Sequence, residues 1–250
     1  MRQITTSDLF CLEPEADIGE AQRELEARYI DQAPLAETPI RRSVRLLELH
    51  DAHGTVDSVA RPIKLDEVVA GSTGLACLLP RFAVRDHFYV LGGDGIQGIV
   101  TRADLQLPPV SMAVLGLVVS LEMALTELIA IYSHGCWLDI IQDGRRKKLL
   151  KRFEHARRAN VQITELACLD LIDRFDLVGR ISCLREALGI ASRKRADKVR
   201  KRIEKLRNPL AHGGNIIDAQ ESFHDTLRTI DELQDLADRA WALVANGESL

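Results

Sequence analysis

Residues 43–52, SVRLLELHDA, lie over residues 96–105, IQGIVTRADL, when the chain is slid along itself by 53 positions. The same offset lays LFCLEPEADIGEAQRELE over PIKLDEVVAGSTGLACLL. Each copy runs in one order: a short apolar element, a helical stretch, a strand, a turn, and an apolar strand entering a short helix. The second copy shows the last parts most plainly, as HFYVL, the turn GGDG and then IQGIVTRADL. Such a repeat restricts the fold severely, because two copies imply one pseudo-symmetric unit packed on itself.

The repeat stops at LQLPPVS. Pro108 and Pro109 can continue neither a strand nor a helix interior, so the pattern predicts a junction there, with one domain over 1–107 and a second over 108–250. Before the junction the segments are short and mixed; after it they are long and helical. With aromatics at only 4 %, both cores must be built mainly from Leu, Ile, Val and Ala.

Residues 110–133, VSMAVLGLVVSLEMALTELIAIYS, are long enough to span a bilayer. Glu122 and Glu127 in the middle argue against it, and a helix apolar nearly all round also suits the centre of a bundle or dimer. The N-terminus lacks the basic-then-apolar layout of a secretory signal. The five cysteines are odd in number and show no C-x-x-C spacing, which predicts reduced thiols in a cytoplasmic protein and no zinc site.

The net charge of −4 conceals an asymmetry. Residues 144–212 carry 20 Lys and Arg against 8 Asp and Glu, a net of +12, between acidic flanks. A field this concentrated attracts polyanions; the same residues can also form a solvated face paired with acidic neighbours. The pattern predicts a basic helix from near Asp143 and one helix or a broken pair capped by Thr164. It predicts a second basic helix opened by Ser192, and a last helix over roughly 219–245 behind an Asp218-x-x-Glu221 cap.

The second basic helix runs into RNPLAHGG, residues 207–214. Proline and glycine explain a helix stop but not an arginine and a histidine five positions apart. On an unbroken helix Arg207 and His212 would lie about 140° apart. Pro209 is expected to break the helix and bring the two onto one short bend. A guanidinium there suits a phosphate or its pentavalent transition state, and an imidazole exchanges protons near neutral pH. That pair fits attack by an RNA 2′-hydroxyl on the adjacent phosphodiester, with no second ligand at metal spacing. In the bland reading Asn208-Pro209 is a helix start and both charged side chains belong to a solvated face.

Two stretches resemble known families. FYVLGGDGIQGIVTRADL is similar to the end of a cystathionine-β-synthase (CBS) domain, which closes on a Gly-φ-φ-Thr-x-x-Asp run. Two such domains pair into a module that binds adenine nucleotides or related adenosyl ligands. The resemblance assigns ligand contacts to Gly98, Thr101 and Asp104, and implies ATP, AMP or S-adenosylmethionine as regulatory ligand. The first copy departs from the run, with Arg45 for the glycine and Glu48 for the threonine, although Asp51 keeps the carboxylate. One competent site is therefore expected, unless Asp104 merely caps the short helix after it.

The helical half, with Arg-Asn-x-x-x-His near its C-terminal end, resembles the HEPN superfamily. Many of its members are metal-independent endoribonucleases whose site forms across a homodimer. That likeness assigns catalysis to Arg207, Asn208 and His212, with no catalytic cofactor. It also implies an RNA substrate, a toxin or defence role and an antitoxin partner. Some HEPN proteins are non-catalytic, which keeps a nucleotide-sensing or interaction module as the alternative. The two resemblances together imply an α+β tandem CBS module followed by an all-α, HEPN-like helical bundle.

Overall fold

The computed structural model describes residues 3–214, 216 and 222–247. The chain divides into two compact units, Met1–Val110 and Ser111–Leu250.

The first unit carries the repeat. Helix α1 (Ile18–Ala27) starts where the Asp17 carboxylate accepts the Gly19 and Glu20 N–H groups, and it buries Ile18, Ala21 and Leu25. Strands β1 (Gln32–Pro34) and β2 (Arg42–Arg45) pair antiparallel, and β2 enters the short helix α2 (Leu46–Leu49). Strand β3 (Arg61–Pro62) pairs with the other edge of β2.

In the second copy β4 (Val68–Ala70) is followed by the short helix α3 (Leu75–Leu78) and a 3-10 segment over Leu79–Ala83. Pro80 keeps this second helical stretch shorter than α1. Strands β5 (His87–Gly92) and β6 (Gly95–Thr101) form the antiparallel hairpin, with β4 parallel on the outer edge of β5. The first copy repeats that parallel contact as a single bridge between Leu12 and Leu35. The offset of 53 seen in the sequence is thus a structural repeat: β1–β2 corresponds to β5–β6.

The copies also exchange edges. β3, which precedes the second copy in the chain, extends the sheet of the first. Thr6, which precedes the first copy, bridges Ile99 in the sheet of the second, with both N–H···O bonds made at 3.0 and 3.1 Å. Each backbone edge is satisfied by the segment leading into the other copy, so neither copy is complete alone. The core of the first copy is aliphatic, and that of the second adds Phe82 against Phe88, edge to face at 5.1 Å.

The second unit is helical. Helix α4 (Pro108–Ser133) crosses the division between the units; it buries Val114, Val118, Leu121, Leu125, Leu128 and Ile129 and leaves Met112, Val119 and Met123 exposed. It is long and apolar enough to cross a membrane, and one face of it is buried. Helix α5 (Trp137–Ile140) is short, and α6 (Asp143–Arg158) is the first basic helix. The stretch after it is broken: Thr164 caps only a 3-10 turn over Leu166–Cys168, and α7 (Leu171–Arg180) and α8 (Ser182–Ala187) follow. Helix α9 (Arg193–Ala211) is opened by the Ser192 hydroxyl, which accepts the Arg195 N–H.

The last helix, α10 (Phe223–Gly247), begins later than its sequence pattern suggested. Ser222 accepts the Asp225 N–H at 3.1 Å and donates to the Asp225 carboxylate, closing a reciprocal cap. The Asp218/Glu221 cap falls outside the described residues.

Candidate functional site

The largest departure from the sequence expectation is at Pro209. Helix α9 does not break there; it continues to Ala211, with His212 as its C-cap. Val199, Ile203, Leu206 and Leu210 are buried at helical spacing on both sides of the proline. Burial of Leu206 and Leu210, about 2 kcal/mol each, outweighs the roughly 3 kcal/mol that a proline costs inside a helix. The stop comes one turn later. Gly213 takes φ +75°, its N–H bonds to Leu210 O, and the Gly214 N–H bonds to Pro209 O at 2.8 Å. This is a Schellman stop, and it needs the glycine's left-handed backbone.

Arg207 and His212 therefore do not meet on a bend. On the continuous helix they diverge by about 140°. Arg207, Asn208 and His212 are all exposed, and none of their side chains makes a hydrogen bond or ion pair among the described residues. For Arg207 this is distinctive. Arg193 pairs with Asp176 at 3.2 Å, Arg195 and Arg202 with Glu232, and Arg200 with Asp197 and Glu204. Arg207 is the one arginine of α9 without a carboxylate among the described residues.

Arginines elsewhere in the basic segment are held in the same way. Arg145 binds Asp173, and Arg152 forks onto Asp170 at 2.7 and 2.8 Å. Arg174, its pKa pushed down by burial, holds the Thr126 hydroxyl at 2.9 Å and lies 3.9 Å from Glu122.

In the first unit, Thr101 and Asp104 come together. Asp104 Oδ2 accepts the Thr101 N–H at 2.7 Å and the Thr101 hydroxyl at 2.9 Å, closing the turn into the 3-10 segment Ala103–Gln106. A ribose or phosphate binding here would have to share or replace the hydroxyl contact. Gly98 is buried beneath the N-terminal segment: a Cβ there would sit 2.3 Å from Thr5 Cγ2 and 2.8 Å from Thr6 O. The glycine makes room for the exchanged edge. Gly98→Ala should destabilise the first unit by about 2 kcal/mol, measured by urea unfolding, because the backbone oxygen cannot swing aside.

A buried polar layer between the copies has no counterpart in the sequence expectations. Glu67 accepts from Arg61 at 3.0 and 3.1 Å, from Arg85 at 3.3 Å and from the Lys64 N–H at 2.8 Å. Burial opposes its charge, yet the arginines and the N–H hold its pKa below the usual carboxylate range. Beside it His87 is pushed down to about 4 and Tyr89 up to about 12, each mainly by burial. Ser43 stands close enough to temper the phenol, without the geometry of a full hydrogen bond. The alternation of His87 and Tyr89 with Phe88 and Val90 was the available signal, since all four are buried on one strand.

Among the described residues no group of three or more His, Cys, Asp and Glu side chains is placed to hold a metal. The five cysteines are free thiols.

No family model and no curated protein matches the chain. Among solved structures, the chain is similar to CBSX2 in complex with AMP at 18 % identity and TM-score 0.35, covering 40 % of this chain and 87 % of that one. The CBS domains of a transcriptional regulator from Streptococcus pneumoniae match at 18 % and TM-score 0.34, over 38 % of this chain and 84 % of theirs. The CBS domain of the bacterial CNNM/CorC family Mg2+ transporter in complex with ATP matches at 20 % and TM-score 0.36, over 42 % and 82 %.

Proposed function

We propose that this chain is a HEPN-type endoribonuclease governed by an adenine-based ligand on a CBS-like first unit. One observation carries the reading: among the described residues, the Arg207, Asn208 and His212 side chains stand exposed and unpaired at the end of a helix whose other arginines are all held by carboxylates. A guanidinium without a carboxylate is available to a phosphate. In the reaction, His212 takes the proton of a 2′-hydroxyl as its oxygen bonds to phosphorus. The bond to the 5′-oxygen breaks, that oxygen gains a proton, and a 2′,3′-cyclic phosphate remains. Arg207 offsets the charge that builds on the phosphoryl oxygens. No step requires a metal.

Because Arg207 and His212 diverge within one copy, a homodimer is the arrangement that gives each phosphate both groups, one histidine serving as base and the other as acid. The protein would act in the cytoplasm as a defence or stress toxin, with an antitoxin partner. AMP, ATP or S-adenosylmethionine would bind at Thr101 and Asp104 and shift the placement of the two motifs.

The test is incubation of purified protein with a structured RNA in EDTA, with and without each ligand. Cleavage to cyclic-phosphate ends is expected, changed by one of the three; intact RNA throughout sinks the nuclease reading. Asp104→Asn should weaken binding of that ligand by roughly tenfold or more in calorimetry, the cost of losing a charged acceptor. Unchanged affinity would leave Asp104 as a turn-closing residue. The divergence of Arg207 and His212 within one copy favours the other reading, a nucleotide-sensing module without catalysis, if the protein proves monomeric.

A further inference from the structure

The continuity of α9 through Pro209 has a consequence for the residues upstream. Lys194, Lys198, Lys201 and Lys205 recur at intervals of four, three and four. At about 100° per residue they fall within roughly 40° of one line, opposite the buried face formed by Ala196, Val199, Ile203, Leu206 and Leu210. Asn208 continues that line, and His212 stands at its foot as C-cap, roughly five turns and about 27 Å from Lys194. All six residues are exposed. A break at Pro209 would have taken His212 off that line.

The charge on this face is of one sign. Arg195 and Arg202 flank it, both tied to Glu232. The acids of the helix lie off to one side, Asp197 beneath Arg200 and Lys201, and Glu204 against Arg200. Lys194 and Lys198 make no ion pair among the described residues. While Arg193, Arg195, Arg200 and Arg202 are neutralised in place, Lys194 and Lys198 keep their charge for solvent. Lysine, a flexible point charge, suits a polyanion held by its backbone without reading bases.

We infer that the lysine face of α9 is the track along which a single-stranded RNA backbone is led to His212. The inference rests on the RNA-cleaving reading and adds where the substrate lies: phosphates on Lys194 and Lys198 at the far end, Lys201 and Lys205 nearer, and the scissile phosphate at the C-cap. Each lysine contributes attraction that is independent of base sequence and screened by salt.

The experiment measures binding of a fluorescent, roughly 20-nucleotide 2′-O-methyl RNA, which lacks the attacking hydroxyl and stays intact. Wild type, Lys194→Ala/Lys198→Ala and Lys147→Ala/Lys148→Ala are compared across salt concentrations. Lys147 and Lys148 are exposed cations of α6, so that control removes the same charge from another face. The α9 pair is expected to weaken binding roughly tenfold at low salt and to flatten the log–log salt slope by about 1.4, against less than about twofold for the α6 pair. Equal losses from both pairs would overturn the inference in favour of overall charge. So would an unchanged slope, or binding to anionic phospholipid vesicles but not to RNA. RNA bound through this face but, as the unmodified strand, left uncut would sink the nuclease reading alone. RNA cut by a protein whose α9 variant binds it like wild type would sink the track alone.

Discussion

Replacing His212 with alanine is expected to slow RNA cleavage by 100-fold to 10,000-fold, roughly what a positioned proton-transfer group contributes. The substitution should leave folding intact. His212 is exposed, makes no side-chain bond among the described residues, and serves the C-cap through its backbone N–H to Pro209 O and Leu210 O. Alanine keeps that N–H, and the φ of −109° suits any residue. Unfolding midpoints of the two proteins should therefore agree within about 0.5 kcal/mol. Equal cleavage rates for variant and wild type would remove His212 from the chemistry. A fall in rate that tracked a fall in stability would make its role structural.

The second large effect is acid destabilisation of the first unit through His87. In the folded chain burial pushes this imidazole down to about 4, with Arg45 and Arg61 adding to the effect and Glu67 and Asp86 opposing it. Unfolded, it titrates near 6.5. Above pH 6.5 neither state binds the proton and nothing is lost. As the pH falls from 6.5 towards 4, the unfolded chain takes up a proton that the folded chain refuses. Stability should drop by about 2 kcal/mol at pH 5 and about 3 kcal/mol by pH 4. His87→Phe should abolish this part of the pH dependence, as the ring lies edge to face with Tyr89 at 5.3 Å and Phe can keep that packing. Urea unfolding of the full chain at pH 7.5 and pH 5 checks it. The same loss in the variant would assign the acid sensitivity to other groups, Glu67 first among them.

The strand–turn–strand order of the first unit was legible because alternation and the GGDG turn are local signals, and the repeat showed them twice. The exchange of edges was not. Nothing in Thr6 or in Arg61-Pro62 marks a pairing segment, since one or two residues are too few for a period; each pairs only because an open edge of β6 or β2 lies beside it. Gly98 was read from a family motif as a ligand contact. Its surroundings give it a second reason to be glycine, the passage of Thr5 and Thr6 overhead.

In the helical half, Ser192 marked a helix start because capping is decided within a turn of chain. The Arg207/His212 geometry was misread for the opposite reason. Proline's local preference pointed to a break, and the buried leucines on either side of it overrode that preference.

By itself, then, the sequence determined whatever depends on neighbours within a few residues: the doubled strand pattern, the caps, the glycine stop, and the spacing of Lys194, Lys198, Lys201 and Lys205. The tertiary structure decided which of these act together. Burial of Leu206 and Leu210 kept α9 whole, so four lysines, Asn208 and His212 share a line while Arg207 points away. Asp176 and Glu232, distant in sequence, neutralised Arg193, Arg195 and Arg202, and left Arg207 open among the described residues. Those outcomes depend on burial and charge pairing across the fold, which no window along the chain contains.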